Sequence, residues 1–156
     1  MKRFQLTALV NSGIASTTAH TLDTKDAYKL IKLRLAILDE QSKTDKAKSN
    51  LVKEAGIDDP KSFDTRLAEL RKVKNPTDEQ KKELDGLTVK LARFQELLEE
   101  LLNEDVSLDV KPISFESWRQ LRKENADKGE NHTDLIPNFA EDLLKGVFWT
   151  EPVFND

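Results

Sequence analysis

Leu84, Leu87, Leu91, Phe94, Leu98 and Leu101 advance along the chain in alternating steps of three and four. Only an α-helix gathers positions so spaced into one stripe, and this stripe is a heptad seam. Thr77-Asp78-Glu79-Gln80 stands just ahead of it. That is a capping box, in which Thr77 and Gln80 each satisfy the other's backbone amide. Residues 78–103 therefore form a long amphipathic helix that must bury its seam. Gly86 is its weak point, costing roughly 1 kcal/mol relative to alanine.

A second long helix is predicted near 25–55. Asp23 or Thr24 can cap it. Ala27, Leu30, Ile31, Ile37, Leu38, Leu51, Val52 and Ala55 recur at helical spacing, and Gly56 suits the left-handed position after its end. At the standard rise such a helix is roughly 45 Å long. Its middle, Asp39 to Asn50, is almost wholly polar. Between the two long helices, Asp59-Pro60 starts a shorter one marked by Phe63, Leu67, Leu70 and Val73, and Lys74-Asn75-Pro76 ends it. The simplest arrangement is an antiparallel hairpin over 25–103. Leu84, Leu91, Phe94 and Leu98 would then lie against Leu30, Ile31, Ile37 and Leu38.

Beyond Asn103 the period changes to two. Val106, Leu108 and Val110 alternate with Ser107, Asp109 and Lys111 until Pro112. That is the pattern of an edge strand. Phe4 and Leu6 alternate in the same way, although Leu6, Leu9, Val10 and Ile14 also suit helical turns. Pairing 3–8 with 106–111 gives a small β-structure at one end of the hairpin. Ser114 restarts a helix carrying Trp118 and Leu121, 123–134 reads as a loop, and Pro137 to Lys145 is a short helix closed by Gly146. The expected fold is α+β and mostly helical: one domain over 1–156, with a hairpin region at 25–103 and a strand plus short helices at 104–156.

At 156 residues the chain is long enough for a core without staples. Hydrophobic residues make up only 37% and charged residues 35%, which favours helices with solvated faces. There is no cysteine, so disulfides and thiolate chemistry are excluded. The N-terminal MKRFQLTALVNSGIAS lacks a continuous apolar run, because Gln5, Thr7, Asn11 and Ser12 interrupt it. No stretch approaches the roughly 18 apolar residues of a membrane span. A soluble intracellular protein is expected. The net charge is −4, too mild to point to nucleic acid. Its distribution is uneven, with a net +4 over residues 1–34 and −6 over residues 96–109. Such runs are usually solvated faces.

Chemistry-bearing patterns are few. His20 and His132 are the only histidines and lie far apart in the chain, so no metal site is expected. Glu96, Glu99 and Glu100 sit opposite the leucine seam on a wet face. Arg119, Arg122 and Lys123 beside Trp118 are a weak form of the basic-plus-aromatic mix of nucleic-acid sites. No phosphate loop, nucleophile elbow or HExxH pattern is present. The candidate partner-binding residues are Phe148, Trp149, Val153 and Phe154 of the tail. They either complete the domain's own core or form an apolar patch of the kind that marks interfaces.

Three stretches carry a resemblance: AYKLIKL at 27–33, FQELLEELLNEDVSLDVKPISFE at 94–116 and DLLKGVFWTEP at 142–152. Together they resemble small proteins of tailed bacteriophages and prophages, in which a long charged helix precedes an ELL-N-x-x-V-x-L-x-V/F-x-P-I segment. The match is specific mainly over 94–116 and departs at 11–22, where this chain is extended. No activity comes with the resemblance, so no catalytic residue is carried over and no cofactor is expected. It implies a phage-encoded, non-catalytic protein in the host bacterial cytoplasm or the virion. Its partner would be a virion protein, a host protein such as a defence factor, or a second copy. The alternative is a nucleic-acid accessory protein using the basic N-terminal third, against which the acidic balance argues.

Overall fold

The computed structural model describes residues 1–153. Among them six α-helices follow in order: α1 (Arg3–Asn11), α2 (Thr24–Glu54), α3 (Pro60–Lys72), α4 (Asp78–Leu102), α5 (Phe115–Asn125) and α6 (Asn138–Leu144). No strand forms among the described residues, so the expected α+β fold with a small β-structure is corrected to an all-helical one. The chain divides into two compact units. One is Met1–Lys43 with the chain from Asp105 on, and the other is Thr44–Glu104.

In the first unit, residues 3–8 are helical because Leu6 and Leu9, three apart, are the ones that reach the core, while Phe4 stays half exposed. The side chain of Gln5 accepts the free amide of Lys2 at the helix start. Residues 106–111 do show the burial of a strand: Val106 and Leu108 are buried, and Ser107, Asp109 and Lys111 are exposed. They lie extended over the core, yet only the residues flanking them make isolated pairings, Asp105 with Lys2 and Ile113 with Trp149. Alternating burial needs only an extended segment on an apolar surface, whereas a strand needs a neighbour of matching length. With 3–8 wound into α1, that neighbour is missing. The core gathers Leu6 and Leu9 of α1, Leu30, Leu33 and Ile37 of α2, Trp118 and Leu121 of α5, and Leu144 of α6.

The link between Ser16 and α2 is tied to the end of α5. Asn125, almost wholly buried, accepts from the Thr18 amide at 2.7 Å and donates to the Thr18 carbonyl at 2.8 Å. Glu124 beside it accepts from the amides of His20 and Thr21 and from the Thr21 hydroxyl, at 2.7–3.0 Å. Burial alone pushes the Glu124 carboxyl up. The hydrogen bonds from Thr21, His20 and Thr18 outweigh that and hold it down at about 2, against an ordinary 4.5. A carboxylate whose folded value is depressed stabilises the fold fully above its unfolded value, and that share is lost as the pH falls through the folded one. Glu124→Gln is therefore expected to lower the thermal midpoint at neutral pH. The gap to the parent should close between pH 4.5 and about 2, and a pH-independent gap would show that ionisation has no part in it.

The second unit is built from the end of α2, α3 and α4. The amides of Gly56 and Ile57 donate to the carbonyls of Lys53 and Val52, and Gly56 takes a φ of +79°, so α2 ends in a Schellman motif. Asp59 accepts from the amides of Lys61 and Ser62 and caps α3, with Pro60 in the first turn. The Thr77–Gln80 capping box is fully formed, at 3.2 and 2.9 Å. Ala55, Ile57, Phe63 and Leu67 form a buried cluster, and Val52, Leu84, Leu87, Leu91 and Phe94 pack on it. Arg66 of α3 also forms a two-pronged pair with Glu83 of α4, at 2.6 and 2.7 Å.

The seam of α4 therefore packs on α3 and on the last turn of α2. The expected burial against Leu30, Ile31, Ile37 and Leu38 is not found: Leu30 and Ile37 belong to the core of the first unit, and Ile31 and Leu38 are exposed. The physical reason is proximity. The five residues between Lys72 and Asp78 return the chain directly, so the amphipathic face of α3 meets the seam at little loop-closure cost.

Candidate functional site

Within the first unit, α2 is apolar on two opposite faces. Asp23 caps it by accepting the Asp26 amide at 2.8 Å. The inward face carries Leu30, Leu33 and Ile37, all fully buried. Asp26 is also on this side. Burial pushes its carboxyl up, but hydrogen bonds from Ser117, Lys29 and the Ser114 backbone outweigh that and hold it below the ordinary carboxylate range. Lys29 is fixed at the same place by Asp26 at 2.9 Å and the Pro112 carbonyl at 2.8 Å. Arg34 turns inward and donates to the Thr17 hydroxyl at 2.9 Å, and burial pushes its guanidinium below the usual arginine value.

The outward face carries Tyr28, Ile31, Leu35 and Leu38, which are 57%, 48%, 57% and 47% exposed. Their spacing of three, four and three is that of a heptad seam. At the helical rise they extend over about 15 Å, and the polar Thr24 and Ser42 stand at its ends. One edge is cationic: Lys25 and Lys32 are exposed along it, and the Lys32 ammonium sits 5.3 Å from the Tyr28 ring centre. Beyond that edge lies a cleft of about 330 Å³ between α2 and the extended segment, lined by Tyr28, Lys29, Lys32, Asp109, Val110 and Lys111.

The residues singled out from the sequence lie elsewhere. Phe148 and Trp149 are buried, and the Trp149 ring stacks on Trp118 with centres 5.5 Å apart and planes within 7°. Trp149 donates from its ring nitrogen to the Glu141 carbonyl, and Trp118 donates to the Glu141 carboxylate, which also holds Arg122. These two tail aromatics are core, which corrects their reading as a partner surface. Val153 is exposed, and Phe154 lies outside the described residues. His20 lies in the link before α2 and His132 in the short 3₁₀ turn before α6. Among the described residues no three His, Asp or Glu side chains gather as a metal site. Glu96, Glu99 and Glu100 are exposed, with Glu96 paired to Arg93 at 2.8 Å.

Tyr28 and Leu35 are the members of the outer face that periodicity reasoning missed. Their signal was present in the run from Ala27 to Leu38, which has apolar residues on more sides of a helix than one core can cover. No family model, no curated protein and no solved structure matches this chain.

Proposed function

We propose that this chain is a non-catalytic, phage-encoded protein that works by binding another protein. It would act as a virion or assembly component, or as an inhibitor of a host factor such as a defence system, in the host cytoplasm or the virion. The observation that carries this reading is the exposed seam of Tyr28, Ile31, Leu35 and Leu38, directly opposite a face that is already fully buried. A helix apolar on both sides is stable in water at a cost, and covering the outer side removes it. The phage resemblance supports the setting. Against nucleic acid, Trp118 is wholly buried and cannot stack on a base, and Arg122 is engaged by Glu141. No helix among the described residues is long and apolar enough to cross a membrane.

The test is a double substitution, Ile31→Gln with Leu35→Gln. Glutamine is a good helix former and keeps the charge, so stability should stay within about 0.5 kcal/mol per site. Proteins recovered with the tagged parent and with the variant from infected cells are compared by mass spectrometry. The expected result is loss of the parent's partner at an unchanged thermal midpoint. Recovery of the same partner by the variant at undiminished yield would reject the seam as the docking face.

A further inference from the structure

Resting on that reading, we infer that the occupant of the α2 seam is an amphipathic helix of a different protein, about two heptads long and acidic along one edge. The heptad spacing of Tyr28, Ile31, Leu35 and Leu38 calls for a helix, since knobs at steps of three and four fit the holes of a helical partner. Charge selects its kind. The edge flanking the seam presents Lys25 and Lys32, and in the cleft beyond it Lys111 stands beside Asp109, while Lys29 is already paired with Asp26. Asp39 follows only at the far end of the seam. A partner with Glu or Asp along this edge gains contacts that a neutral or basic helix does not.

A second copy of this chain fits poorly. In an antiparallel pair the cationic edge meets itself, Lys32 against Lys32. In a parallel pair it meets the edge of Ala27 and Arg34, and Arg34 is turned to Thr17. The antiparallel register that sets Lys32 against Lys32 also sets Lys25 against Asp39, but that carboxylate is already held by Lys43 of its own chain at 2.8 Å, and the parallel arrangement brings no carboxylate to the lysines. The same edge sets the register, because Lys25 and Lys32 stand toward the Tyr28 end, while at the other end the Asp39 charge is met by Lys43 at 2.8 Å. An acidic helix therefore docks with its carboxylates toward Tyr28.

The experiment uses the full chain and two designed peptides of about three heptads, stapled to hold them helical. Both have leucine at the seam positions, and they differ only in carrying Glu or Lys along the flanking edges. Binding is followed by fluorescence anisotropy at two salt concentrations. The Glu peptide is expected to bind and to weaken with salt, while the Lys peptide does not. Lys25→Glu with Lys32→Glu should weaken the Glu peptide about tenfold and shift preference toward the Lys peptide. Equal binding of both peptides, or no effect of the lysine reversal, overturns the acidic assignment. If Ile31→Gln with Leu35→Gln still abolishes binding in that case, the docking face itself stands. Binding of neither peptide overturns the inference outright. Sedimentation then shows whether a second copy occupies the seam, and recovery from infected cells judges the docking reading separately. Anionic vesicles run beside the peptides, and binding to them in place of the Glu peptide also overturns it.

Discussion

Phe148→Ala is expected to lower the stability of the first unit by about 3–5 kcal/mol, the range for removing a fully buried phenylalanine. Phe148 has no exposed surface and meets the edge of Trp118 at 6.4 Å between ring centres. Its backbone is bound in as well: its amide donates to the Leu144 carbonyl, and its carbonyl accepts the Ile113 amide, each at 2.8 Å. Truncation thus opens a cavity beside two tryptophans and loosens the link between α6 and the extended segment. Urea unfolding followed by tryptophan fluorescence reads the loss. Val153→Ala is the control, since Val153 is 85% exposed and should change stability by less than about 0.5 kcal/mol. If Phe148→Ala kept the parent's midpoint and lost only its partner, the tail would be an interface after all.

The sequence left the tail's role open because composition cannot show whether an aromatic cluster is covered. Gly146 decides it. With a φ of +77° it reverses the chain after α6, and its amide donates to the Trp149 carbonyl at 2.7 Å, folding the tail back on its own unit. The helix ends were legible for the opposite reason. Asp59, the Thr77–Gln80 pair and Gly56 act through bonds to atoms within a few residues, so local chemistry alone places them. The error over residues 3–8 has its own cause. Phe4 and Leu6 fit a period of two while Leu6, Leu9 and Val10 fit helical turns, and only the core can choose between them in so short a segment. The exposed apolar face of α2 was hidden by the same limit. A run apolar on two faces says that much must be covered, but burial alone says that Leu30, Leu33 and Ile37 are and that Tyr28, Ile31, Leu35 and Leu38 are not.

Leu67→Ala is expected to cost about 2–5 kcal/mol and to fall on the second unit. Leu67 is buried in the cluster with Phe63 and Ile57, on which the α4 seam residues Leu84, Leu87, Leu91 and Phe94 pack. The ion pair of Arg66 with Glu83 cannot replace this contact, because both side chains stay in water, which screens their attraction. Gly86 adds to the burden on packing, since a glycine inside an exposed helical stretch lowers its intrinsic stability by about 1 kcal/mol. A helix so weakened depends on its tertiary partner. Native-state hydrogen exchange distinguishes this arrangement from a hairpin between α2 and α4. With α3 as the partner, Leu67→Ala should raise exchange throughout Asp78–Leu102 together with Pro60–Lys72, while Leu6, Leu9 and Leu33 keep their protection. Were the seam held by the first half of α2 instead, Leu67→Ala would free α3 alone, and Leu30→Ala would be the substitution that releases α4.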